Sequence, residues 1–139
     1  MTALGSSTAP CSVTVIGGGT MGRNIALNLL LHGHEVKALD TARTAISGLR
    51  VHMEGNVAMM RATGLLKETS RRQDRLRLGQ SCGEAVANAD LIVETIPENL
   101  EAKLALYTEI ERHVAADTIL ASNTSSFMPS QLAQHLQKP

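Results

Sequence analysis

Aromatic side chains are almost missing from this sequence of 139 residues: Tyr107 and Phe127 are the whole complement, and tryptophan is absent. A core built without rings is aliphatic, which suits a Val/Ile/Leu/Ala-rich α/β sheet better than an aromatic-rich β-sandwich. Cysteine is nearly as scarce. Cys11 and Cys82 stand too far apart for a disulfide framework or a zinc knuckle, and they read as two reduced thiols of a cytoplasmic protein. Charge of neither sign prevails, since 13 Lys and Arg balance 13 Asp and Glu. That balance offers no electrostatic footing for nucleic acid or for an anionic membrane. No run approaches the roughly 20 apolar residues of a membrane span. The opening Met1–Pro10 has neither a basic start nor an apolar stretch, so residues 1–11 are expected to form a flexible tail and not a signal peptide. With 43% hydrophobic residues, residues 12–139 suffice for one domain.

What is present alternates between two periods. Ser12–Ile16 is a β-branched run that meets Gly17-Gly18-Gly19, a buried strand entering a tight turn. Thr20–His32 sets Met21, Ile25, Ala26, Leu29 and Leu30 at helical spacing, and Gly33 supplies a left-handed stop. Glu35–Leu39 is a second short strand, ending at Asp40. From Thr41 a long helix is predicted to about Thr63, with a stripe of Ile46, Leu49, Met53, Val57 and Met60, before Gly64 breaks it. Leu65–Arg77, with Arg71 and Arg72, is expected to continue a helical excursion over about 42–75, and Leu76–Leu78 reads as a brief strand. Cys82–Asn88 is a short helix and Asp90–Ile96 the clearest strand. Leu100–Val114 is a helix with Leu104, Tyr107, Ile110 and Val114 inward. Thr118–Ala121 is another buried strand, and Pro129 opens a last helix as an N1 proline. Such a succession is a βαβ series, hence a mainly parallel sheet with helices on both faces.

The turn after the first strand carries chemistry. Gly17-x-Gly19-x-x-Gly22 sits between a strand and a helix, and Asp40 ends the next strand at about the 20-residue spacing of a ribose-binding acid. Gly17 permits the turn, Gly19 lets a pyrophosphate approach the backbone, and Gly22 lets helix and strand pack closely. The N–H groups at the helix start, around Thr20 and Met21, face the phosphates with the helix dipole behind them. Asp40 accepts from the adenosine ribose hydroxyls and repels a 2′-phosphate, so NAD is favoured over NADP. Arg43 is the nearby cation that opposes that preference.

Two further stretches, Ala89-Asp90-Leu91-Ile92-Val93-Glu94-Thr95-Ile96-Pro97-Glu98-Asn99-Leu100 followed by Lys103, and Ala121-Ser122-Asn123-Thr124-Ser125-Ser126, complete the pattern. With Gly17–Gly22 and Asp40 they resemble the N-terminal NAD-binding domain of the L-3-hydroxyacyl-CoA dehydrogenase family, over roughly Ser12 to Pro139. The resemblance implies a Rossmann-type doubly wound sheet, here truncated before its sixth strand and the C-terminal helical domain. It implies that Glu98, Lys103 and Asn123 line the nicotinamide half of the site. Ser125 is implied to bond the substrate 3-oxygen and to touch the nicotinamide. The cofactor implied is NAD, and the small-molecule substrate an acyl-CoA thioester of fatty acid metabolism. A homodimer is expected as well.

Two departures bear on activity. The family's base is a histidine in a His-x-x-Asn-Pro stretch beyond the Asn-Thr-Ser-Ser loop, and His32, His34, His52, His113 and His135 match no such position. The chain by itself is expected to be inactive. Family members also often hold coenzyme A through a Ser and a Lys on the helix after Asp40. The matching stretch, His52–Leu66, offers Asn56 and Thr63 and no lysine before Lys67. Relatives that oxidise free 3-hydroxy acids, such as gulonate or carnitine, share the coenzyme signatures, and a non-catalytic NAD(H)-binding module is a third reading.

Overall fold

A computed structural model of the chain describes residues 9–40, 43–66, 73–134 and 136–137, without the side chains of residues 43–47 and 73. The expectations for residues 1–8, for the excursion over 67–72, and for Ile46, the Arg43 side chain and His135 lie outside the described residues. Five strands form one parallel sheet: β1 (Ser12–Ile16), β2 (Glu35–Leu39), β3 (Leu76–Leu78), β4 (Leu91–Glu94) and β5 (Ile119–Ser122). Their order is β3-β2-β1-β4-β5. In register, Val15 of β1 lies beside Ala38 of β2 and Val93 of β4. The helices are α1 (Thr20–Leu31), α2 (Arg43–Ala62), α3 (Cys82–Val86), α4 (Leu100–Glu111) and α5 (Pro129–Ala133).

Side chains alternate across a strand, so a strand buried on both faces feeds two cores. Val15, Val36, Ala38 and Leu76 meet Ala26, Leu27, Leu30, Leu49, Met53 and Val57 of α1 and α2. On the opposite face Ile16 and Ile92 meet Val86, Tyr107, Ile110 and Leu132 of α3, α4 and α5. The expected stripe Leu49–Met53–Val57 is thus core, and Gly64, at φ +73°, stands just beyond the end of α2. Thr14 is buried among these apolar neighbours because its hydroxyl donates to Ala85 O at 2.6 Å.

Several boundaries move from the sequence expectation. Among the described residues the excursion does not continue as helix past Ala62; Gln73–Arg75 is a single 3-10 turn leading into β3. The long strand expected over Asp90–Ile96 is strand only from Leu91 to Glu94; the Thr95 N–H still donates to Ile16 O, and the Ile96 N–H donates to the Glu94 carboxylate in place of a strand neighbour. On α4 the buried face is Lys103, Tyr107 and Ile110, with Leu104 only half-buried. Periodicity counts apolar residues and so assigns a lysine outward.

Strand order positions the site. The chain runs outward from β1 through β2 to β3, then returns to the other side of β1 for β4 and β5. At such a reversal the connections leave the sheet in opposite directions and open a crevice at the carboxyl ends, between β1 and β4.

Candidate active site

The floor of the crevice is the turn Gly17–Gly22. Gly17 adopts φ +113°, and a Cβ there would stand 2.5 Å from Thr95 Oγ1. A Cβ on Gly22 would lie 1.9 Å from the Gly17 carbonyl oxygen. Gly19 differs: its Cβ would enter open space. That opening lies over the first turn of α1, which has no acidic residue and no side-chain cap, so its leading N–H groups and positive end are available to an anion. Thr20 and Met21 are exposed there. A pyrophosphate fits this cradle on chemistry and space alike.

Asp40 closes β2 next to the turn, and its Oδ2 accepts the Gly18 N–H. The carboxylate expected to take ribose hydroxyls therefore also shapes the turn. Arg23, which the sequence reading passed over, donates through Nε to Gly18 O at 2.7 Å and reaches across to Gly48 of α2. Thr95 was also missed. Its N–H donates to Ile16 O, and its hydroxyl lies 3.1 Å from the Ile16 and Gly17 carbonyls, locking β4 to the turn. A hydroxyl following a buried strand was the signal.

The other wall is built from β4, α4 and the loop after β5. Asn99 caps α4 by accepting the Ala102 N–H at 2.9 Å, which sets Glu98 just ahead of the helix. Glu98 accepts from the Thr124 hydroxyl at 2.9 Å and from the Ser125 N–H at 3.0 Å. Desolvation is the largest single influence and raises the Glu98 pKa, but the Ser125 N–H, the Thr124 hydroxyl and the Lys103 ammonium together outweigh it and hold the carboxyl below its ordinary value. Asn123 is exposed, its backbone tied to Glu94 O at 2.8 Å, and Ser125 is exposed. Glu98, Asn123 and Ser125 thus come together. Lys103 does not join them. It was expected to line the site, but its side chain is wholly enclosed, 2.7 Å from Glu94 Oε1 and 3.7 Å from Glu98 Oε2. The reason is that Glu94 points inward and a buried carboxylate requires a cation.

The 3-hydroxyacyl-CoA dehydrogenase NAD-binding-domain model matches residues 12–139. The chain belongs to that family. Among curated relatives it is 34% identical over 128 residues to 5-formyl-3-hydroxy-2-methylpyridine 4-carboxylate 5-dehydrogenase of Mesorhizobium japonicum, covering 92% of this chain and 41% of that protein. It is 35% identical over 127 residues to L-carnitine dehydrogenase of Bacillus cereus, covering 91% and 38%. Among solved structures, 3-hydroxybutyryl-CoA dehydrogenase of Escherichia coli superposes with a TM-score of 0.88 at 31% identity, over 94% of this chain and 28% of that one. The chain therefore spans about two fifths of the length of these curated relatives. As a member of this family it is an NAD-binding domain, and the substrates named for its relatives vary.

Gly19→Ala should leave the fold intact and weaken NADH about tenfold or more in calorimetric titration, because its methyl group occupies the phosphate cradle. Gly22→Ala should instead lower unfolding stability by about 1–3 kcal/mol or more in denaturant melts, since backbone must move. The unmodified chain should bind NADH more tightly than NADPH. Asp40→Ala also loosens the turn, so the informative quantity is the ratio of the two affinities, which should shrink toward one. Equal affinities in the unmodified chain would count against Asp40 as the discriminating group.

Proposed function

We propose that this chain is the coenzyme half of a dehydrogenase interconverting an L-3-hydroxyacyl-CoA and its 3-ketoacyl-CoA. The observation that carries the reading is the convergence of Glu98 and the Ser125 loop at the carboxyl ends of β4 and β5. When bound, NAD supplies the acceptor or donor of hydride. The chain's own residues orient the partners: the α1 N-terminus holds the pyrophosphate, and Asp40 takes the adenosine ribose. Glu98 and Asn123 flank the nicotinamide, and Ser125 bonds the substrate 3-oxygen. The general base comes from polypeptide outside these 139 residues. Among the described histidines, His34 accepts from Cys11 N at the amino ends of the strands, His32 and His113 bond Asn28 and Glu109, and His52 bonds Asn24 and Asn56.

A second reading, oxidation of a free 3-hydroxy acid, is favoured by the groove between α1 and α2. This groove of about 300 Å³ is lined by Asn24, Asn28, Asn56 and Thr63 with Leu and Met, and among the described residues that line it none is charged. Coenzyme A phosphates call for cations. The 139-residue chain should show no reduction of acetoacetyl-CoA by NADH above background, since loss of the acid/base alone costs about 10²–10⁴ in rate. The full-length protein assayed with acetoacetyl-CoA, gulonate and carnitine separates the readings. Turnover of the CoA ester supports the first and turnover of a free acid the second; none of the three, with NADH bound, supports a coenzyme-binding module.

Cytoplasmic location is part of this proposal, supported by the free thiols Cys11 and Cys82; so is a place in fatty acid metabolism, by the substrate class. So is a homodimer, on the family resemblance. A separate matter is this chain alone: among its described strands β5 lies at the sheet edge with Ile119 43% exposed and no lysine or proline, and such an edge invites self-association until the sixth strand implied by the resemblance covers it. Light scattering should find dimers of this chain at high concentration, and a monomer at millimolar concentration would refute pairing through β5.

A further inference from the structure

Glu94 and Lys103 are both completely buried. Taking two charges out of water is expensive even when they pair, and an aliphatic pair of like volume often holds a core as well. The pair is therefore better explained by what it positions than by stability. Glu94 Oε1 accepts from Ile96 N at 2.6 Å and Lys103 Nζ at 2.7 Å. Its Oε2 accepts from Ser122 Oγ at 2.6 Å and Tyr107 OH at 2.8 Å. Lys103 also donates to Ile96 O at 3.3 Å and faces Glu98. Glu98 holds Thr124 and Ser125, and Thr124 Oγ1 in turn accepts the N–H groups of Ser126 and Phe127 at 3.2 Å. A polar chain thus runs without interruption from the Tyr107 hydroxyl inside the second core to the Ser125 loop in the crevice.

We infer that Tyr107 and Glu94 are positioning residues, which set the Ser125 loop through Lys103 and Glu98. With four donors on it, the Glu94 charge is shared, and Lys103 keeps part of its field for Glu98. Without the Tyr107 hydroxyl, Glu94 draws Lys103 inward, and Glu98 loosens its hold on Thr124 and Ser125. Lys103 from α4 is the ionisable group that acts on Glu98, and the charges of Glu98 and of Glu94 from β4 both act on Tyr107 of α4; the loop after β5 offers Glu98 the Thr124 hydroxyl and the Ser125 N–H. Burial first, then the neighbouring Glu94 and Glu98 charges, against an opposing Ser122 bond, push the Tyr107 hydroxyl up to about 12, so it remains a donor across the working pH range. The purpose assigned to the loop rests on the proposed function; its placement does not.

Tyr107→Phe keeps the ring and removes the hydroxyl alone. In NMR of the 139-residue chain, amide exchange at Ser125, Ser126 and Phe127 should rise about tenfold. The Glu98 carboxyl, identified by its loss in Glu98→Gln, should titrate at higher pH. Exchange of the Val13–Val15 amides in β1 should stay unchanged. Ser122→Ala acts on the same oxygen and should repeat the pattern; it decides the matter if the tyrosine variant does not fold. Parent-like exchange and titration overturn the inference, and so does a uniform rise that includes β1, which marks lost stability and nothing more. Failure of the parent chain to bind NADH would sink the coenzyme role while these loop measurements still decided the positioning claim.

Discussion

The structure depends on one close approach of backbone to backbone. Gly22 of α1 sits so near the Gly17 carbonyl that no Cβ fits between them, and Thr95 fills the remaining side of the same contact. This packing lets α1 begin directly above β1, with its N–H groups aimed into the crevice. It also ties the carboxyl end of β4 to that of β1 through the Thr95 hydroxyl. The two walls of the site are thereby held at a set separation by hydrogen bonds and van der Waals contact at the switch point itself.

Around that contact, polar groups serve two purposes at once. The Asp40 carboxylate accepts from Gly18 N and so shapes the turn that it borders. Asn123 is pinned by its backbone to Glu94 O while the residue remains exposed. Buried side-chain donors and acceptors all find partners among the described residues, as the low-dielectric interior demands. The Glu94–Lys103 pair is the extreme case. Both of its members are fully buried, where any broken partnership would strand a charge.

Much of the fold was legible because its signals are local. The strand at Ser12–Ile16, the helix that follows, the stop at Gly33 and the stripe Leu49–Met53–Val57 obey backbone periods that need no partner to recognise. The helix entries at Thr20, Leu100 and Pro129 also emerged where expected. Boundaries such as Ile96 and Val114 did not, because a strand or helix ends where its last neighbour ends, and the neighbour is distant in the chain. Arg23 and Thr95 escaped notice for the same reason. Arg23 is unremarkable in its own segment, Thr95 is marked there only as a hydroxyl after a buried strand, and both acquire a role only against Gly18, Gly48, Ile16 or Gly17.

By itself the sequence determined the alternation of strand and helix, the aliphatic nature of both cores and the glycine turn with its acidic partner at Asp40. It also carried the motifs that place the chain in its family. Those features follow from covalent geometry, side-chain volume and spacing along one segment. Tertiary structure alone decided that Lys103 would be enclosed, that Glu94 would collect four donors, and that Glu98 would grip the Ser125 loop. The reason is physical: the energy of a charge depends on the dielectric and the partners around it, and those are supplied by strands and helices that the chain brings together only on folding.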